Sequence, residues 1–129
     1  MTKWLLIGGG GFLGACCRYA VNLGASRVFP IGHFPWGTLI VNLAGCLVIG
    51  FLAGLAHTRA LFSEEVRFFV FVGFLGSFTT FSTFGLESFS LLKNGSIRPA
   101  LVNIGVHVIV GLFAVWAGFV LGRMLTHAR

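Results

Sequence analysis

Acidic side chains are almost missing from this sequence. Glu64, Glu65 and Glu87 are the three carboxylates in 129 residues. They leave almost nothing to bind a cation by carboxylate, and Glu87 has no partner acid for acid–base catalysis. Charge of either sign is scarce, at 9% of residues, where a soluble domain carries roughly 25% to keep its surface solvated. A chain this poor in charge cannot coat itself for water. Cysteine is limited to Cys16, Cys17 and Cys46, all in apolar stretches and without zinc or disulfide spacing. His33, His57, His107 and His127 likewise lack metal-ligand spacing. No serine sits in a nucleophile elbow, so the chain reads as a non-enzyme.

Apolar residues fill the place of charge, at 57% of the chain and a mean hydropathy of +0.96. The fold class is therefore all-α integral membrane. A bilayer core of about 30 Å needs roughly 20 helical residues, and four runs qualify: about 4–21, 36–56, 66–92 and 99–121. The linkers between them are too short for a soluble domain, so 1–129 is one four-helix membrane domain. The net charge of +6 would point to nucleic acid if the basic residues formed a stripe. They are scattered singly at the ends of the runs, as membrane anchors are, and no nucleic-acid partner is expected.

Both termini fall on one side, with Lys3, Arg59, Arg67, Arg123 and Arg129; the other side holds Arg27, Lys93 and Arg98, plus Arg18 if it reaches out. This bias is weak. It fits insertion in one direction or in both, and insertion in both would give antiparallel dimers. Four helices also form a thin wall for a hydrated pathway. Gly10 with Gly14, Gly50 with Gly54 and Gly118 with Gly122 allow close helix approach, within a subunit or between subunits.

Two motifs mislead. Gly9, Gly11 and Gly14 in "GGGFLG" match a dinucleotide fingerprint, but that needs an acid about 20 residues later, and the first acid is Glu64. "LGAC" at 13–16 looks like a lipoprotein cleavage site, yet three more spans follow and the glycines suit a membrane helix.

The polar residues inside the spans carry the chemistry. They are Arg18, Thr38, Asn42, the cluster Ser77, Thr79, Thr80, Ser82 and Thr83, then Glu87, Asn103 and His107. Thr38 and Asn42 are four apart and share a helix face, as do Asn103 and His107. Phe81 and Phe84 share another. Helix–helix hydrogen bonding explains a single Thr or Asn, but poorly explains five hydroxyls within seven residues and an arginine. Hydroxyl, amide and guanidinium groups are donors, and donors solvate anions. A phenylalanine edge is electropositive and can face an anion without a formal charge. Glycine and hydroxyls around Gly76 to Thr80 weaken the helix, and carbonyls freed at such a break can hold Na⁺. The residues thus point to an oligomeric pathway for a small anion and leave the ion open.

"GFLGSFTTFSTFGLE" at 73–87, "GGGGFLGACCRY" at 8–19 and "PWGTLIVNLAGCLVIG" at 35–50 resemble the third, first and second helices of the Fluc (CrcB) fluoride channels, over essentially the whole chain. The resemblance implies a multi-pass protein of the bacterial inner (plasma) membrane, with the third helix broken mid-membrane. It implies an antiparallel, dual-topology homodimer whose two pores passively export toxic fluoride from the cytoplasm, or pairing with a divergent paralogue. By position, Phe81 and Phe84 match the fluoride-contacting rings and Asn42 the pore asparagine. Thr38, Ser82 and Thr83 match pathway hydroxyls, Arg18 the vestibule arginine and Glu87 a glutamate near the far end. Gly76 and Thr79 match the residues whose carbonyls, from both subunits, hold a structural Na⁺. The fourth helix departs from the pattern. Asn103 stands where some members have tyrosine, and His107 and Gly111 stand where serines can line the pore. His107 is expected to replace one of those donors.

A small proton-coupled exporter of organic cations is the rival reading. It needs an intramembrane carboxylate, expected early in the chain, where this one has Arg18. Glu87, the sole candidate, lies toward a helix end.

Overall fold

A computed structural model of the chain describes residues 1–29, 34–57 and 61–127. His33, Arg59 and Arg129, weighed above as a loop histidine and flanking charges, lie outside the described residues. All regular structure among the described residues is helical. Four helices are long and apolar enough to cross a membrane: Thr2–Val28, Trp36–Ala56, Glu64–Lys93 and Ile97–Thr126.

Helix α1 (Thr2–Val28) continues past position 21, where hydropathy falls. Asn22, Gly24 and Ser26 are poor helix formers, but none removes a backbone donor as proline does. The helix closes at Phe29, whose N–H donates to the Ala25 carbonyl at 2.8 Å. Helix α2 (Trp36–Ala56) starts directly after Pro35. Helix α3 covers 64–78 in three parts, Glu64–Val66, a wider π-type coil over Arg67–Leu75, and Gly76–Phe78. Ser63 caps it by accepting from the Val66 N–H at 3.4 Å, with Glu64 and Glu65 in the positive first turn.

Thr79 (φ −88°, ψ 160°) and Thr80 (φ −152°, ψ 113°) are extended, and helix α4 (Phe81–Lys93) follows. At its far end Gly95 adopts φ +75°. The Ser96 N–H donates to the Leu91 carbonyl at 2.9 Å, and the Gly95 N–H donates to the Leu92 carbonyl at 3.0 Å. These two bonds form a Schellman turn, in which glycine takes the left-handed position without steric cost. Helix α5 begins at once, over 97–127, with a second π-type stretch at Val106–Val110. Pro99 falls in its first turn, where a missing N–H removes no helical bond.

Two glycine-lined seams hold these helices together. In the first, α1 lies on α3: a Cβ at Gly10 would strike the Phe69 carbonyl and one at Gly14 the Phe74 carbonyl. In the second, α2 lies on α5: Gly50 faces the Val115 carbonyl, Gly54 that of Phe119, Gly118 that of Leu47 and Gly122 that of Phe51. All three small-residue pairs read from the sequence thus close helix contacts inside one chain. Backbones approach this closely only where no side chain intervenes.

The outer surface is apolar. Ile109 is 71% exposed and Leu112 69%. The total of 8547 Å² exceeds the roughly 6,700 Å² of a compact soluble protein of this mass. Lipid, or another protein surface, is the medium such a face requires.

Candidate functional site: two cavities on a shared polar face

Helix α4 runs along two cavities. A cavity of about 400 Å³ is lined by Asn42 of α2, Phe81 and Phe84 of α4, His107 of α5, and Gly76, Thr79 and Thr80. A second, of about 590 Å³, is lined by Pro35 ahead of α2, by Glu87 and Ser90 of α4, and by Asn94 and Ser96 in the turn before α5. Between them lies a sealed layer of Thr38, Ser88 and Asn103, which are 3%, 6% and 0% exposed.

The floor of the first cavity is the extended pair Thr79–Thr80. Asn42 clamps it with its whole amide: Nδ2 donates to the Thr80 carbonyl at 3.0 Å, and Oδ1 accepts from the Thr80 N–H at 2.8 Å. Thr80 in turn caps α4, its Oγ1 accepting from the Thr83 N–H at 3.3 Å and donating to Thr83 Oγ1 at 2.9 Å. Ser82 Oγ lies 3.5 Å from the same hydroxyl. Thr79 Oγ1 donates back to the Leu75 carbonyl at 2.9 Å. The hydroxyl cluster is therefore first a pair of helix ends, with Thr79 closing one helix and Thr80 opening the next.

This arrangement takes the regular helical partners from the Gly76 and Thr79 carbonyls. In a continuous helix the Thr80 N–H would bond the Gly76 carbonyl, and the Thr83 N–H would bond that of Thr79. Here Asn42 takes the first donor and the Thr80 hydroxyl takes the second. Gly76 and Thr79 are the two residues read from the sequence as carbonyl ligands for Na⁺. Neutral carbonyl oxygens released from a helix are the donor set such a hard cation uses.

Phe81 and Phe84 are neighbours, with centroids 5.5 Å apart and planes at 54°. Phe81 is 83% exposed and Phe84 only 9%. Thr38 Oγ1 donates to Glu87 Oε1 at 2.8 Å. Glu87 Oε2, Asn103 Oδ1 and His107 Nε2 are buried without a hydrogen bond.

Most of the residues singled out in the sequence lie on this face. Asn42, Gly76, Thr79, Phe81, Phe84 and His107 surround the first cavity, and Glu87 lies in the second. Thr38 and Asn103 belong to the layer between them. Ser82 and Thr83 form the first turn of α4. Arg18 stands apart, half-buried on α1 and lining neither cavity. Sequence reasoning missed Ser88, which joins α4 to α5 by accepting from Asn103 Nδ2 at 3.0 Å. Its four-residue spacing from Phe84 was the available signal. It also missed the clamping of Thr80 by Asn42, a pairing across 38 positions that no local spacing encodes.

Comparison with known proteins agrees in length and extent. A protein from Hydrogenovibrio crunogenus named fluoride-specific ion channel FluC is 46% identical over 125 residues, covering 95% of this chain and 92% of its own. One of the same name from Chloroflexus aurantiacus is 48% identical over 123 residues, covering 95% and 97%. A third, from Methylobacillus flagellatus, is 40% identical over 128 residues, covering 99% and 100%. The family described as "CrcB-like protein, Camphor Resistance (CrcB)" matches residues 5–119. With four membrane-length helices and a match along nearly its entire length, this multi-pass membrane protein belongs to the CrcB-like family.

Proposed function

We propose that this chain is a fluoride-selective channel of the bacterial inner membrane, exporting fluoride passively from the cytoplasm. The observation that carries the reading is the set of relatives, 46–48% identical over nearly the whole chain, that bear the name fluoride-specific ion channel. The cavities supply a chemical reason. A small anion leaving water needs donors and positive edges, and Phe81, Phe84, Asn42 and Thr80 line one opening, with the Thr83 hydroxyl bonded to that of Thr80. Nδ2 of Asn42 keeps one N–H beyond the one given to Thr80.

The reading includes a second copy of the chain, set antiparallel, with a pore on each side of the interface. Phe81 supports it. A ring that is 83% exposed makes an anion contact only when something encloses it, and lipid offers no such wall. The weak charge bias of the loops supports insertion in both directions. A divergent paralogue in place of the second copy would meet the same requirement. The third span is then a helix broken within the membrane at Thr79–Thr80. Its Gly76 and Thr79 carbonyls, two from each copy, would hold a structural Na⁺ at the centre. The ion would supply a fixed positive charge and tie the two copies together.

In mechanism, the chain binds by desolvation in stages. The hydroxyls of Ser82 and Thr83 and the free N–H of Asn42 replace water around the anion. The edges of Phe81 and Phe84 then carry it past the narrowest point, where a formal charge would trap it. Thr38 holds Glu87 by one oxygen, keeping the carboxylate turned toward the second cavity. Arg18 serves as a vestibule charge that concentrates anions at the entrance.

The test is flux. Purified protein in liposomes, followed with a fluoride electrode and chloride as control, should release fluoride rapidly and chloride negligibly. Phe81→Ile should abolish the release. Absent fluoride flux from the parent protein, together with proton-driven uptake of an organic cation, would overturn the reading.

A further inference from the structure

We propose that Asn103 and His107 are positioning residues that fix the ring plane of Phe84, and that anion discrimination depends on them. The functional half of this inference rests on the fluoride-channel reading; the structural half rests on geometry alone.

The four residues Phe84, Ser88, Asn103 and His107 form a closed circuit across α4 and α5. Ser88 Oγ donates to the Phe84 carbonyl at 2.8 Å. Asn103 Nδ2 donates to Ser88 Oγ at 3.0 Å. The main-chain carbonyl of Asn103 is 2.9 Å from His107 Nδ1, and because a carbonyl only accepts, the ring proton sits on Nδ1. The circuit closes through the rings: the His107 imidazole lies 4.3 Å from the Phe84 ring, centroid to centroid, with 35° between planes. Each pair, 84 with 88 and 103 with 107, is one helical turn apart, so each helix contributes one edge of the quadrilateral.

The arrangement matters because a phenylalanine ring is not one surface but two. Its edge is positive and its face negative. A ring free to turn about its Cβ–Cγ axis would present an anion with attraction and repulsion in alternation. The torsion itself is soft and two-fold, so it does not select the plane. Neighbouring groups must do so. At Phe84 the neighbour is an imidazole whose orientation is set by the main-chain carbonyl of residue 103, while the Asn103 side-chain amide ties α5 to α4 at Ser88 and so holds that imidazole against the ring. Asn103 is fully buried, and its amide is anchored on Ser88. Phe81 has no such support.

Asn103 and His107 are also two of the positions at which the sequence departs from the channel pattern it resembles. The circuit is therefore this chain's own way of holding the ring. If these residues only filled space, any apolar pair of similar volume would serve as well.

The experiment reads the ring directly. Full-length protein carrying ring-labelled phenylalanine is reconstituted in lipid nanodiscs, and the Phe84 signal is assigned by its loss in Phe84→Leu. Ring-flip rates are measured by NMR in the parent, His107→Ala and Asn103→Leu, the last chosen because it nearly preserves volume, leaves the main-chain bond to His107 in place and removes only the tie to Ser88. Both variants should flip faster by about tenfold or more, and His107→Phe, which keeps a stacked ring, should lie between them and the parent. In liposomes, each single variant should lower the fluoride-to-chloride flux ratio by about tenfold, and the double variant should lower it no further, because the residues act as one unit. Melting temperatures measured in parallel separate a folding defect from ring freedom.

Unchanged flip rates in every variant overturn the proposal, whether or not the protein conducts fluoride. Faster flips with an unchanged flux ratio overturn the selectivity half. A parent that passes no fluoride overturns the channel reading and that half together, while the flip rates still decide the structural half.

Discussion

The seam between α2 and α5 and the first cavity share those two helices, yet along the seam the backbones touch while the cavity, which α3 and α4 also line, stands open. Along the seam the facing residues are Gly50, Gly54, Gly118 and Gly122, and each meets a carbonyl of the opposite helix. Toward the other ends of the two helices the corresponding residues are Thr38, Asn42, Asn103 and His107; the first three reach to α4 or to Thr80 and His107 bonds back to its own helix, so none of these bonds bridges α2 to α5. Side-chain volume decides where this bundle closes. Polar side chains then decide how the open part is held. A small membrane protein has few other means of building a cavity, because lipid gives its helices no hydrophobic incentive to associate.

Breaking the seam should have the largest effect. At Gly54 or Gly118 a new Cβ would land on backbone, which cannot swing aside as a side chain can. Gly118→Leu should destabilise the fold by about 3 kcal/mol or more. The readout is loss of the monodisperse peak in size-exclusion chromatography, or a collapse in melting temperature. Gly85→Ala and Gly105→Ala are the controls, since nothing lies within 4 Å of a Cβ there. They should fold like the parent.

Opening the clamp of the cavity comes next. Asn42→Ala leaves the Thr80 N–H and carbonyl without partners in apolar surroundings. Two orphaned backbone groups should destabilise the extended segment by about 2 to 4 kcal/mol. Hydrogen exchange at the Thr80 amide should accelerate, and fluoride flux should fall by more than about tenfold. Asn42→Asp keeps the acceptor for the Thr80 N–H and loses the donor, so its amide should stay better protected than in Asn42→Ala. Equal protection in the two variants would refute the clamp.

The two regions also differ in how far the sequence reveals them. Hydropathy alone reads the four spans, and small-residue spacing reads the seams, because both signals are local and periodic. The C-terminal end of α1 is not legible. Polar residues from Asn22 onward lower hydropathy without ending the helix, so a composition rule stops near 21 and hydrogen bonding continues to Val28. On the polar face, the i and i+4 pairs Thr38–Asn42 and Asn103–His107 are legible as shared faces. Their partners on other helices are not. Which residue meets which depends on helix rotation, and the π-type stretches Arg67–Leu75 and Val106–Val110 change that rotation away from the regular 3.6-residue period. Ser88 is the consequence. It reads as one hydroxyl among many until α5 is turned so that Asn103 reaches it.

A smaller effect separates the two jobs of the hydroxyl cluster. Thr80 caps α4 as well as facing the cavity. Thr80→Ala should remove the cap at about 1 kcal/mol, while Thr80→Ser keeps an oxygen in place and should restore most of the stability. If flux follows stability through this pair, the hydroxyl acts by holding the helix start. Flux lost in Thr80→Ala at unchanged melting temperature would assign it to the anion instead.

The smallest expected effect tests whether the α1–α3 seam owes its closure to glycine or to charge. Lys3 Nζ lies 2.6 Å from Glu64 Oε1 at the outer end of that seam, and also 4.9 Å from the centre of the Phe68 ring. The geometry is good, but the side chains are 59% and 63% exposed. Water and salt screen such a pair, and holding two long side chains in one arrangement offsets part of the attraction. Exposed pairs of this kind contribute about 0 to 1 kcal/mol. Lys3→Ala should therefore shift the melting temperature barely above measurement error, and raising the salt concentration should shift the parent no more than that. Gly14→Leu, on the same seam, should prevent folding, since its Cβ would meet the Phe74 carbonyl. A large loss in Lys3→Ala with a tolerated Gly14→Leu would reverse the assignment, making charge the fastener and glycine incidental.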